Sequence, residues 1–86
     1  MNPLLLHPIE EAARSCGIPK EVMLQFISYA WIVPANREQG FLDDEDLART
    51  RFILELKTRL GVNDEGVGII LHLLDQLYAL HFNEFR

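Results

Sequence analysis

The chain has 86 residues, 49% of them hydrophobic and 24% charged, with a net charge of −5. That length suits one domain (1–86) with a modest core. The single cysteine, Cys16, excludes an internal disulfide and fits a reducing, cytoplasmic setting; Leu4-Leu5-Leu6 is too short for a signal-peptide core, and the charge-free stretch Gly66 to Leu74 is too short to cross a bilayer.

In chain order, residues 1–7 read as a loosely held lead-in, with Leu4, Leu5 and Leu6 free to pack on a core. Pro8 suits the first turn of a helix, and Glu10 and Glu11 suit its positive end. This helix should stop at Cys16-Gly17, where glycine can take the left-handed cap. A second helix starts at Pro19, with Glu21 in its first turn. Val22, Met23, Phe26, Ile27 and Ala30 recur at helical spacing along it. Two short helices joined by Gly17-Ile18-Pro19 predict a helix-turn-helix.

Trp31-Ile32-Val33 is β-branched and aromatic, is broken by Pro34, and leads into the polar turn Asn36 to Gly40 before Phe41-Leu42. This predicts a small two-stranded wing. A third helix is expected from about Asp44 to Leu60, ended by Gly61. Asp43 to Asp46 suit its start: an N-cap acid accepts from free backbone N–H groups, and Asp43 with Asp46 three residues on is a variant capping box. Asn63 should cap a fourth helix, with Asp64 and Glu65 in its first turn, running to about His81. Its apolar residues exceed one stripe. Val67, Ile70, Leu74 and Leu77 form one seam, and Ile69, Leu73 and Leu80 another. Either the chain wraps this helix in its own core, or Ile69, Leu73, Leu77 and Leu80 meet a second copy as a homodimer.

No catalytic constellation is present. His72 and His81 are nine residues apart on one helix, about 14 Å along it, so they cannot share an ion directly. His7 and Cys16 lie far away in sequence, and no glycine-rich phosphate loop, catalytic carboxylate pair or Cys–His pair stands out. The expectation is a protein that is not an enzyme, with no cofactor and no metal.

The charge is uneven. Residues 1–46 hold three cations (Arg14, Lys20, Arg37) and eight acids, for −5, and residues 47–86 hold five of each.

The order of elements resembles the MerR-type winged helix-turn-helix. Ile9-Glu10-Glu11-Ala12-Ala13 before Cys16-Gly17-Ile18, then Ala30 to Pro34, then Gly40 to Leu47, and finally Leu60-Gly61-Val62 before Ile69 to Asp75 carry this likeness. It covers roughly residues 8–80 and implies an all-α domain of about four helices with a short two-stranded wing. Residues 8–46 would form the helix-turn-helix and wing, and 47–82 the two C-terminal helices. Within that group the chain looks like chaperone modulators of the CbpM type, on Phe41-Leu42-Asp43-Asp44, Arg59-Leu60-Gly61-Val62 and Ile69 through Leu80. That likeness implies a bacterial inhibitor that binds the J domain of a CbpA-type co-chaperone and so regulates stimulation of DnaK. Longer relatives carry further polar helix beyond the equivalent of Phe82, whereas Asn83-Glu84-Phe85-Arg86 close this chain.

DNA readers gain affinity from Lys and Arg on phosphates, and read bases with Arg, Lys, Asn or Gln. The second helix carries only Lys20 and Glu21 as ions, and Leu24-Gln25-Phe26-Ile27 stands where MerR-type regulators show Arg-Tyr-Tyr-Glu. The acidic half would repel DNA. It would attract the basic helix that J domains carry, through Glu10, Glu11, Glu21, Asp43, Asp44, Glu45 and Asp46. The bland reading of each of these acids is a helix-start residue on a solvated surface. The alternative for the whole chain is a divergent MerR-type DNA-binding transcription regulator.

Overall fold

The protein is described by a computed structural model covering residues 5–84, with side chains through residue 80. Leu4, the His81 and Phe82 side chains and the last two residues lie outside the described set. The elements are β1 (His7–Pro8), α1 (Ile9–Ser15), α2 (Lys20–Ser28), β2 (Phe41–Leu42), α3 (Asp44–Leu54), a wide helical turn (Glu55–Arg59) and α4 (Asp64–Glu84). Two compact units divide between Leu54 and Glu55. The mostly helical fold with one two-stranded antiparallel sheet is the expected class.

In the first unit, α1 ends by donating the Ile18 N–H to the Ala13 carbonyl and the Gly17 N–H to that of Arg14, both at 3.0 Å. Gly17 takes φ +74°, which completes a Schellman cap. The helix α2 ends the same way without a glycine. Trp31 N–H reaches the Phe26 carbonyl at 3.0 Å, Ala30 N–H reaches that of Ile27 at 2.9 Å, and Ala30 sits at φ +62°. The apolar contact that accompanies such caps is the Phe26–Trp31 ring pair, 5.5 Å between centroids. Beneath α1 and α2 lie Ala12, Ala13, Met23, Phe26, Ile32, Leu42, Leu47 and Ile53, all buried.

The sheet corrects one expectation. Phe41–Leu42 does form a strand, but Trp31-Ile32-Val33 is not its partner. Its partner is the lead-in: His7 pairs with Leu42 and Pro8 with Phe41. The amides of Trp31 and Ile32 are engaged by the α2 cap, and the Trp31 carbonyl accepts from Arg49 Nε, so little backbone is left for a ladder. Composition misled here because aromatic and β-branched residues also suit a buried irregular segment, and Trp31 and Ile32 are both buried. The wing keeps a single bridge, in which Asn36 and Phe41 exchange both backbone bonds at 3.1 Å.

The third helix also differs from its expected length. Regular α3 stops at Leu54, and the chain continues through a turn in which the Leu60 N–H bonds the Glu55 carbonyl, five residues back, at 3.2 Å. In the second unit, Lys57 pairs with Asp64 and Arg59 with Glu55 across this turn. Asn63 starts α4 as expected, accepting the Gly66 N–H on Oδ1 at 2.7 Å.

Candidate functional site

The predicted acids divide by what they touch. Asp43 and Asp46 form a reciprocal capping box: the Asp46 N–H donates to Asp43 Oδ1 at 2.9 Å and the Asp43 N–H to Asp46 Oδ2 at 3.0 Å. Asp46 Oδ2 also accepts the Ala35 N–H at 3.1 Å, so one carboxylate ties the root of the wing to the start of α3. Burial and the nearby Asp43 charge push the Asp46 pKa up, while the N–H groups of Asp43 and Ala35 pull it down; the net direction is upward. Asp44 meets His7 Nε2 at 2.9 Å. Glu10 and Glu11 in α1, Glu21 in α2 and Glu45 in α3 are exposed, and their carboxylates make no hydrogen bond or ion pair with another described residue. Strand pairing brings the approaches to α1 and α3 side by side, running in opposite directions. Nothing bonds Glu21 to the other predicted acids.

The surface that would face a nucleic acid is the outer side of α2. Lys20, Glu21, Leu24, Gln25 and Ser28 are all exposed there. One cation, one acid and a leucine 44% exposed make a poor groove reader. At the end of the helix Tyr29 is equally exposed, and it is fixed in place. Its ring lies 4.9 Å from that of Trp31, and its hydroxyl accepts from Gln25 Nε2 at 3.1 Å. Sequence reasoning saw the missing arginine at Leu24 but not this tyrosine. The i, i+4 spacing of Gln25 and Tyr29 was the available signal.

Cys16 donates weakly to the Leu47 carbonyl (4.0 Å), and burial pushes its thiol pKa up, partly offset by the charge of Arg51. It has the environment of a packing residue rather than a nucleophile. Among the described residues no group of three or more His, Cys, Asp or Glu side chains is placed to hold a metal ion. An open groove on α4 is lined by Asp64, Glu65, Gly68, Ile69, His72 and Leu73, all from one helix. No described helix is long and apolar enough to cross a membrane.

Burial does not follow the two seams of α4: of the first, Val67 is buried but Leu74 and Leu77 are exposed, like the whole of the second. Val67 and Leu71 are buried, but Ile69, Leu73, Leu74, Leu77, Tyr78 and Leu80 are all exposed. The four residues expected to self-associate, Ile69, Leu73, Leu77 and Leu80, are thus on the surface, each more than half exposed.

A helix pair with a glycine cap, a strand entering an acid-capped third helix and a long fourth helix form the geometry of the whole chain. Residues 8–83 match the model of the MerR HTH family regulatory proteins. The chain belongs to that family. No curated protein and no solved structure matches it. Within the MerR-like frame, α2 is the element in the recognition position, and the loop from Asn36 to Phe41 is the wing.

Proposed function

We propose that this MerR-like protein is a non-catalytic modulator that binds the J domain of a CbpA-type, DnaJ-like co-chaperone and thereby regulates stimulation of DnaK. The observation that carries the reading is the chemistry of α2. In the recognition position it presents Lys20, Glu21 and exposed Leu24. Phosphate neutralisation, the main source of DNA affinity, has almost nothing to work with there. The unpaired carboxylates Glu10, Glu11, Glu21 and Glu45 in a half carrying −5 suit a basic protein surface, mainly by speeding encounter and choosing the partner. The resemblance to CbpM-type modulators along Phe41 to Asp44 and Ile69 to Leu80 supplies the partner's identity.

The test is a calorimetric titration against a CbpA-type J domain at low and high salt, with DnaK ATPase stimulation measured in parallel. Binding should weaken with salt, and the protein should suppress the stimulation. Glu10→Lys with Glu11→Lys should weaken binding and flatten its salt dependence. An unchanged ATPase response rejects the modulator reading.

Family membership itself favours a second reading, a divergent DNA-binding transcription regulator. Salt-sensitive nanomolar binding to duplex DNA in fluorescence anisotropy would select it.

The exposed face of α4 supports a homodimer as part of the proposal. Ile69, Leu73, Leu77 and Leu80 follow 4-4-3 spacing, which keeps them on one stripe of the helix, and no charged residue lies between Glu65 and Asp75 or between Asp75 and Leu80. Light scattering should report a dimer at micromolar concentration, and Leu73→Glu with Leu77→Glu should make it monomeric. A wild-type monomer at high micromolar concentration rejects the dimer.

A further inference from the structure

We infer that self-association through α4 is controlled by charge: two copies of this helix repel each other at neutral pH and join more tightly as pH falls towards 6, with His72 as the residue that responds. The inference rests on the homodimer reading above and assigns its regulation.

Between Leu60 and Phe85 the chain has four acids (Asp64, Glu65, Asp75 and Glu84), two histidines and no Lys or Arg. Paired helices ordinarily match opposite charges along the edges of their apolar seam. A second copy brings no such match to α4. Whether the two helices run parallel or antiparallel, the ions that this stretch sets beside the seam are acids again. The cations just before it are engaged: in the wide turn packed on α4, Lys57 pairs with Asp64 and Arg59 with Glu55. Arg86 follows only after Glu84.

The apolar surface itself is continuous. Ile69, Leu73, Leu77 and Leu80 are neighbours one turn apart, each is more than half exposed, and no residue from 72 to 80 is buried. Apolar contact therefore drives the pairing and like charge opposes it, which makes the balance sensitive to pH and salt.

His72 is placed to shift that balance. With Glu65 it lines the open groove beside Ile69 and Leu73, so it borders the stripe at the rim that a second helix leaves in water. The charged groups around it on α4 are Asp64 and Glu65 before it and Asp75 one turn after it; from the wide turn, Lys57 is held at Asp64 and Arg59 at Glu55. Imidazole is the side chain that ordinarily gains its charge between pH 8 and pH 6. Protonated, His72 is the cation that α4 otherwise lacks, and the acids of a second copy favour that form. The dimer then holds protons that two separate chains do not, so association strengthens as pH falls.

Analytical ultracentrifugation of the full chain, at pH 8 and pH 6 and at about 50 and about 500 mM salt, reads the dimer constant. At low salt Kd should fall at least about threefold from pH 8 to pH 6, with the sedimenting mass that of a dimer. At pH 8 it should also fall as salt rises, because screening weakens repulsion; a pair held by opposite charges loosens with salt instead. Glu65→Gln should tighten the dimer at pH 8. His72→Gln should keep the pH 8 dimer and lose at least about half of the pH response. Circular dichroism checks that both variants fold. A dimer indifferent to pH and salt, or one that loosens on acidification, overturns the inference and leaves the homodimer standing. An unchanged pH response in His72→Gln overturns the role of His72. A wild-type chain that stays monomeric at high micromolar concentration overturns both the inference and the homodimer.

Discussion

The carboxylate of Asp46 should be costly to remove, although it is not in the apolar core. It accepts two backbone N–H groups, from Asp43 and Ala35, and its own N–H depends on Asp43 Oδ1. Each accepted bond contributes about 1–1.5 kcal/mol, so Asp46→Ala should lose about 2–3 kcal/mol. Removing the repulsion between Asp46 and Asp43 returns part of this, leaving a loss of about 2 kcal/mol. For a domain of this size that is a fall in Tm of about 8–16 °C. Asp46→Asn keeps a carbonyl acceptor and should cost less than about 1 kcal/mol. Burial raises the Asp46 pKa above its ordinary value in the folded protein. As pH falls through that raised value the folded state therefore takes up its proton first. Wild type should gain stability relative to Asp46→Asn, and the gain is complete below the unfolded value of about 3.9. At neutral pH this contribution is absent. Urea unfolding followed by circular dichroism, at pH 7 and in steps down to pH 4, measures all three proteins. An Asp46→Ala midpoint within about 0.5 kcal/mol of wild type would refute the account of the cap, as would equal losses for Ala and Asn.

Ala30→Gly should stabilise the protein by about 0.5–1 kcal/mol, because the left-handed backbone costs alanine more than glycine; a loss in the same urea assay would show that the alanine methyl packs. Gly66→Ala should do the reverse of what helix propensity says. A methyl there would lie 2.7 Å from Val62 Cγ1 and 3.1 Å from the capping Asn63 Oδ1, so a loss of about 1 kcal/mol should replace the usual gain, and a higher Tm would mean that Val62 turns aside. Cys16 should react with iodoacetamide more slowly than free cysteine near pH 8, and Arg51→Ala should slow it further by removing the charge that lowers its pKa; a rate equal to that of the free amino acid contradicts its burial.

The parts of the fold legible in the sequence are those whose cause is local. Gly17 before Ile18-Pro19, Asp43 with Asp46 and Asn63 before Asp64-Glu65 each satisfy helix ends within a few residues, and each cap forms as read. The cap at Ala30 was hidden because its signal, glycine, is missing. What identifies it is Trp31 packing on Phe26, a contact visible only in space. The strand His7–Pro8 has two residues, one of them proline, and offers no alternation to read. The wide turn at Glu55–Arg59 is composed of ordinary helix formers, so nothing in Glu55-Leu56-Lys57-Thr58-Arg59 marks it before Gly61. For the candidate site, charge and the absent arginine at Leu24 were readable. The fixing of Tyr29 by Gln25 and Trp31 needed coordinates.

The first strand has a practical consequence for anyone trimming this protein. The family match begins at residue 8, and a chain cut to that boundary would look complete by sequence. It would keep Pro8 beside Phe41 but remove His7, and with it the pairing to Leu42 and the contact with Asp44 at the head of α3. Half of a two-rung ladder would go, next to the acids that open the third helix. A fragment designed on the family boundary is thus expected to report on a frayed junction, and its melting or binding would understate what the longer chain can do.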